Sequence, residues 1–117
     1  MRIPVAGLMA GLALTLAPGI ARAQSVSFSK EIVPIFREQC SKCHNNRQIT
    51  GGFSVATYAA IQKGSKGGKV IAAKPEESRL VKYLTGDLKP QMPPGQPLPK
   101  AQLDKIKAWI AAGAKND

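Results

Sequence analysis

Cys40-Ser41-Lys42-Cys43-His44 is the stretch on which the reading of this chain turns. Two thiols separated by two residues stand about one helical turn apart, and an imidazole follows at once. At that spacing each thiol can add across one of the two vinyl groups of a haem. The residue that follows then projects its imidazole beneath the macrocycle, toward the iron. Cys-x-x-Cys-His is therefore read as covalent haem attachment, with Cys40 and Cys43 as thioether residues and His44 as an axial ligand. Three other readings compete for the same residues. A dithiol redox site also uses Cys-x-x-Cys, but in a βαβ context that the rest of the chain lacks. A structural zinc site needs four protein ligands, and these three lie too close together to wrap one metal well. A plain disulfide explains two cysteines and leaves His44 without a role.

The second axial ligand is a matter of counting. His44 is the only histidine, so two imidazoles from one chain cannot meet the iron. Of three methionines, Met1 and Met9 fall in an N-terminal stretch expected to be removed, which leaves Met92. It lies in Gln91-Met92-Pro93-Pro94-Gly95, where the two prolines stiffen the backbone and reduce the entropy lost in aiming the thioether. Core methionines more often sit on a helix face, and the plain reading is a half-exposed loop residue. As a ligand, its soft sulfur favours ferrous iron and a higher potential than two imidazoles would. With His44 and Met92 both bound, no position stays open for oxygen or peroxide, which points to electron transfer and not to catalysis.

The two ends frame the domain. Arg2, the apolar run Ile3 to Leu16, the Pro18-Gly19 break and Ala21-Arg22-Ala23 follow the order of a secretory signal, with cleavage expected before Gln24. An uncleaved anchor is the alternative, though the run is short for a span of ~20 residues. The expected organisation is a signal peptide at 1–23 and a single domain at 24–117, with periplasmic or otherwise exported localisation. Export agrees with haem attachment after translocation. Two of the 17 basic residues leave with the signal, so 15 remain against 7 acids, a charge of +8 on 94 residues. So small a chain, with few aromatics, buries only a modest core and gains from an apolar prosthetic group.

Between the ends the pattern is helical. Ser29 is the expected cap of a first helix carrying Ile32, Ile35 and Phe36 inward and leading directly to Cys40, with Ser25 to Ser27 as a frayed lead-in and Pro34 tolerated near the first turn. Asn45 to Gly52 reads as loop. Thr57 to Gln62 suits a short helix closed by Gly64. Pro75-Glu76-Glu77 opens another that runs through Leu80, Val81 and Leu84 to Gly86. Five prolines exclude regular structure from Lys89 to Pro99. The last helix starts near Lys100, turns Leu103, Ile106, Trp109 and Ile110 to one side and stops at Gly113. No stretch alternates well enough to be a strand. The fold class is all-α, three or four short helices joined by long loops.

Residues Phe28 to Ala114 resemble class I cytochrome c, and more closely the planctomycete-type cytochrome c domain. The resemblance rests on the approach Phe28 to Phe36, on Cys40 to His44, on Gly51-Gly52-Phe53, on the Gly64 to Gly68 loop, on Pro75 to Leu80, on Met92-Pro93-Pro94 and on Trp109 to Ala114. It implies a cytochrome c fold wrapped round one covalently bound haem c, first and last helices packed together, and His44 and Met92 as iron ligands. Ala72-Ala73-Lys74 departs from the Pro-Gly that the family tends to have there. Arg47 and Arg79 are candidates for the haem propionates, beside the plain reading of solvated arginines. Trp109 reads as core before it reads as an electron conduit.

The expected function is one-electron transfer by an exported monohaem carrier, without substrate turnover. A permanently bound haem subunit of a larger enzyme is the runner-up, and a peroxidase or ligand sensor follows only if Met92 does not ligate. Positive charge suits redox partners with an acidic docking patch, or a membrane surface with anionic headgroups. Nucleic acid does not fit an exported chain without aromatic-basic interleaving. A monomer is expected.

Overall fold

The structure, a computed structural model, describes residues 26–117 together with the isolated positions 2, 4, 7 and 11. Apart from those four positions, the expected signal peptide and its cleavage site before Gln24 lie outside the described residues.

Helices carry the fold, and no strand occurs among the described residues. A wide turn over Phe28–Ile32 runs into α1, Val33–Gln39. Its cap is Ser27, not Ser29. Ser27 is extended and its Oγ accepts the Lys30 N–H at 3.2 Å, while its own N–H donates to Glu31 Oε2 at 2.8 Å. Starting two residues earlier takes Phe28 into the helix, where its ring lies 5.3 Å from both Tyr58 and Trp109. Burial of that ring selects the earlier start over the later serine. Pro34 sits at the second position of α1, and the turn before it closes through Val33 N–H to the Phe28 carbonyl. This wider i to i−5 spacing brings the chain past a residue without an N–H.

The second helix, α2, spans Tyr58–Lys63, capped by Thr57 Oγ1 accepting the Ala60 N–H at 3.1 Å and ended by Gly64 at φ +86°. The expected helix from Pro75 to Gly86 is in two pieces. Pro75–Glu77 forms a single tight turn, Ser78 is extended, and α3 runs over Arg79–Thr85 to a left-handed Gly86. Ser78 makes the break because its fully buried hydroxyl accepts the Ala72 N–H at 2.9 Å and donates to the Lys74 carbonyl at 3.0 Å. Local side-chain bonds of this kind compete with the helix ladder. Within the expected loop at 45–52, Thr50–Gly52 also forms a tight turn. The last helix, α4, covers Lys100–Ala111 as expected, burying Ile106, Trp109 and Ile110.

The turn over Phe28–Ile32 that leads into α1 packs on α4, and so does α3. Trp109 is the centre of this core: it stacks on Phe28 at 5.3 Å, meets Phe36 edge-on at 6.2 Å and donates its indole N–H to the Lys115 carbonyl at 2.9 Å. It is core, as its helical position indicates. The C-terminal segment closes over the turn at Phe28 and over α2: Ser29 N–H reaches the Asp117 carbonyl at 2.9 Å, Phe28 N–H reaches Asp117 Oδ1 at 3.1 Å, and Tyr58 donates its hydroxyl to the Ala114 carbonyl at 2.7 Å. No helix among the described residues is long and apolar enough to cross a membrane.

Candidate functional site

Cys40 stands at the end of α1, with its N–H on the Phe36 carbonyl at 2.9 Å, so the helix delivers the first thiol directly. The backbone then turns tightly: Cys43 and His44 both donate to the Cys40 carbonyl, at 3.3 and 3.1 Å. Asn45 holds the exit from the turn. Its side-chain N–H donates to the Ser41 carbonyl at 2.6 Å, and its side-chain oxygen accepts the Arg47 and Gln48 N–H groups at 2.8 Å each. Both thiols are unpaired; Cys40 is half-buried and Cys43 exposed. Burial pushes the Cys40 thiol up to about 11, because desolvation disfavours the thiolate. No group of three His, Cys, Asp or Glu side chains among the described residues is arranged to hold a metal ion by itself.

His44 has its tautomer set by a backbone group. Its Nδ1 lies 3.0 Å from the Phe53 carbonyl oxygen, which can only accept, so Nδ1 carries the proton and Nε2 keeps a free lone pair. The Phe53 ring lies 5.4 Å from the imidazole, tilted by 58°, and limits its rotation. Val55 N–H on the His44 carbonyl at 2.8 Å ties the two segments together. Gly51-Gly52-Phe53 stood out in the sequence only as a family motif, and no pattern there announces that the Phe53 carbonyl is the functional atom.

Met92 is half-buried, and its N–H donates to the Tyr83 carbonyl at 2.9 Å. Gln91 adds a bond from Nε2 to the Leu84 carbonyl at 3.2 Å. The proline loop is therefore moored to the C-terminal half of α3; within it the Lys89–Pro90 and Met92–Pro93 bonds are cis.

These residues meet at two adjoining cavities. The larger, of about 350 Å³, has Cys40, His44 and Met92 in its lining, with walls from Phe53, Val70, Leu80 and Leu84. The smaller, of about 110 Å³, shares Cys40, His44, Thr50 and Met92 and adds Lys42, Cys43 and Pro93. All four predicted site residues thus border this one region. Arg79 lines the larger cavity, whereas Arg47 lines neither. The walls Val70, Tyr83 and Pro90 had no signal in the sequence, because each lies at a place where a lone apolar residue is unremarkable.

The donor set matches haem chemistry: two thiols, an imidazole, a soft thioether, apolar walls, and the cations Arg79 and Lys42. Cavities of ~300–1,000 Å³ with few polar groups are the usual form of cofactor sites. Residues 40–96 match the family model described as Planctomycete cytochrome C. The matched segment opens at the first thiol and closes just beyond Met92 and its prolines. No curated protein and no solved structure compared with the chain matches it.

Proposed function

Residues 40–96 resemble planctomycete-type cytochrome c, a domain that implies haem c and electron transfer, and from this premise we propose an exported one-electron carrier with a single haem. Haem c supplies a couple that changes by one electron at the iron, with no atom transferred. Cys40 and Cys43 hold it as thioethers. His44 offers Nε2 to the iron while its Nδ1–H bond to Phe53 fixes the ring plane and raises the basicity of the ligand. Met92 would supply the second iron ligand, its thioether presented by a loop that is tied to α3 on its N-terminal side and stiffened by prolines on the other.

The observation that carries the reading is that His44 and Met92, far apart in the chain, border the same two cavities together with Cys40. An iron filled on both sides favours electron transfer over oxygen or peroxide chemistry. Exposure of Cys43, beside Lys42, keeps one edge of the site near the surface, where a partner with an acidic patch can dock. The signal-like start of the chain agrees with attachment outside the cytoplasm.

The test is the visible spectrum of protein exported from a host that matures c-type haem. In alkaline pyridine it should report one haem per chain with two thioether links. The reduced protein should not bind carbon monoxide at neutral pH. Ready binding would replace the carrier with the ligand-binding reading.

A further inference from the structure

Among the described residues, Arg79 is the one Lys, Arg, Asp or Glu side chain in the lining of the larger cavity. It belongs to the part of that lining not shared with the smaller cavity, where Cys43 lies. Its guanidinium is held from three sides. Nη1 donates to Ser65 Oγ at 3.3 Å, and the group stands 6.0 Å from the centre of the Tyr83 ring. Gly67 backs it so closely that a Cβ there would come within 2.8 Å of both terminal nitrogens. Neither ion pair found among the described residues, Lys100–Asp104 and Lys105–Glu31, includes it. A guanidinium has five N–H donors, and among the described residues Ser65 takes one of them. A half-buried cation against apolar walls is stabilised by an anion that takes the remaining donors as a pair.

Haem carries its two propionates on the edge of the macrocycle opposite its two vinyl groups. With Cys40 and Cys43 holding the vinyl edge, the propionates would lie on the side away from Cys43, and Arg79 stands in the cavity that Cys43 does not line. We propose that Arg79 is the anion anchor of this site, its guanidinium held by Ser65, Gly67 and Tyr83 to receive a haem propionate. The inference rests on the haem reading above. It also separates the two arginines that the sequence left equal, since Arg47 borders neither cavity. Gly67 has a role in it: the missing side chain is the space in which the guanidinium lies. Its φ is not left-handed, so alanine suits the backbone there and only displaces the arginine head.

The test uses the holoprotein and two readouts, the propionate bending band in the resonance Raman spectrum and the reduction potential. Arg79→Gln should shift the band and lower the ferrous-to-ferric equilibrium constant about tenfold, because a positive charge near the iron favours the reduced state. Arg79→Lys should return the potential toward wild type. Gly67→Ala should shift the band in the same direction by a smaller amount, and it serves if Arg79→Gln does not accumulate. Arg47→Gln should leave both unchanged. An unaltered band and potential in Arg79→Gln or, failing its accumulation, in Gly67→Ala, with the haem spectrum intact, overturns the anchor alone. A wild-type protein without a c-type haem spectrum overturns the reading beneath it.

Discussion

At Phe53 a backbone carbonyl sets the chemistry of a ring nine residues earlier. By accepting from Nδ1 at 3.0 Å it decides which nitrogen of His44 stays free, a choice the imidazole cannot make for itself. Met92 is governed in the same way, through its N–H on the Tyr83 carbonyl. On the proposed function its thioether would close the iron. Met92→Ala should open a position for carbon monoxide and lower the reduction potential, read by ferrous difference spectra and by redox titration. An unchanged spectrum and potential would remove Met92 from the ligand set. Arg79 belongs to the same scale, since one guanidinium is placed by a glycine, a hydroxyl and a ring.

Among the elements, the junction before α3 and the loop after α2 are the most sharply specified. Ser78 stops one turn and starts a helix by accepting the Ala72 N–H and donating to the Lys74 carbonyl. Ser78→Ala takes the partner from the Ala72 N–H, while the Lys74 carbonyl keeps the Glu77 N–H, and the holoprotein should lose about 1 kcal/mol in denaturant titration. The Gly64 to Gly68 loop offers a contrast between two left-handed glycines. A Cβ at Gly64 would stand 2.3 Å from the Gly68 carbonyl oxygen, whereas at Gly68 it would meet nothing within 4 Å. Both substitutions strain φ, but only Gly64→Ala also collides with backbone that cannot rotate away. Gly64→Ala should therefore lower the melting temperature more than Gly68→Ala does. Equal shifts would show that φ alone limits the site.

For the whole molecule, Trp109 joins the first helix, the last helix and the C-terminal segment. Phe28 and Phe36 pack on its ring, while its N–H holds the Lys115 carbonyl. Trp109→Ala removes an almost fully buried ring and is expected to cost about 3–5 kcal/mol, measured by unfolding of the holoprotein. Trp109→Phe should recover most of the packing and lose only the hydrogen bond. The ion pairs matter far less. Lys105 and Glu31 bridge the last and first helices at 3.8 Å with both side chains well exposed, and such pairs contribute ~0–1 kcal/mol.

Much of this was legible in the chain itself. The inward face of α4, the closure of α2 at Gly64 and the proline-bound loop are local: spacing, capping and missing N–H groups act over a few residues. The nomination of Cys40, Cys43, His44 and Met92 came from a motif and a count, and needed no geometry. What lay beyond it depended on contacts between distant segments. Ser27 caps the first helix because Phe28 has Trp109 to pack against, and neither residue signals the other along the chain. Arg79 and Arg47 are alike in composition, and only the cavity wall distinguishes them. The haem motif is thus sequence-determined, since its reacting groups are neighbours within one turn. The setting of the site, the Phe53 carbonyl on His44 and Arg79 at the cavity wall, was decided by tertiary structure, because burial and long-range hydrogen bonds bring together residues that share no local pattern.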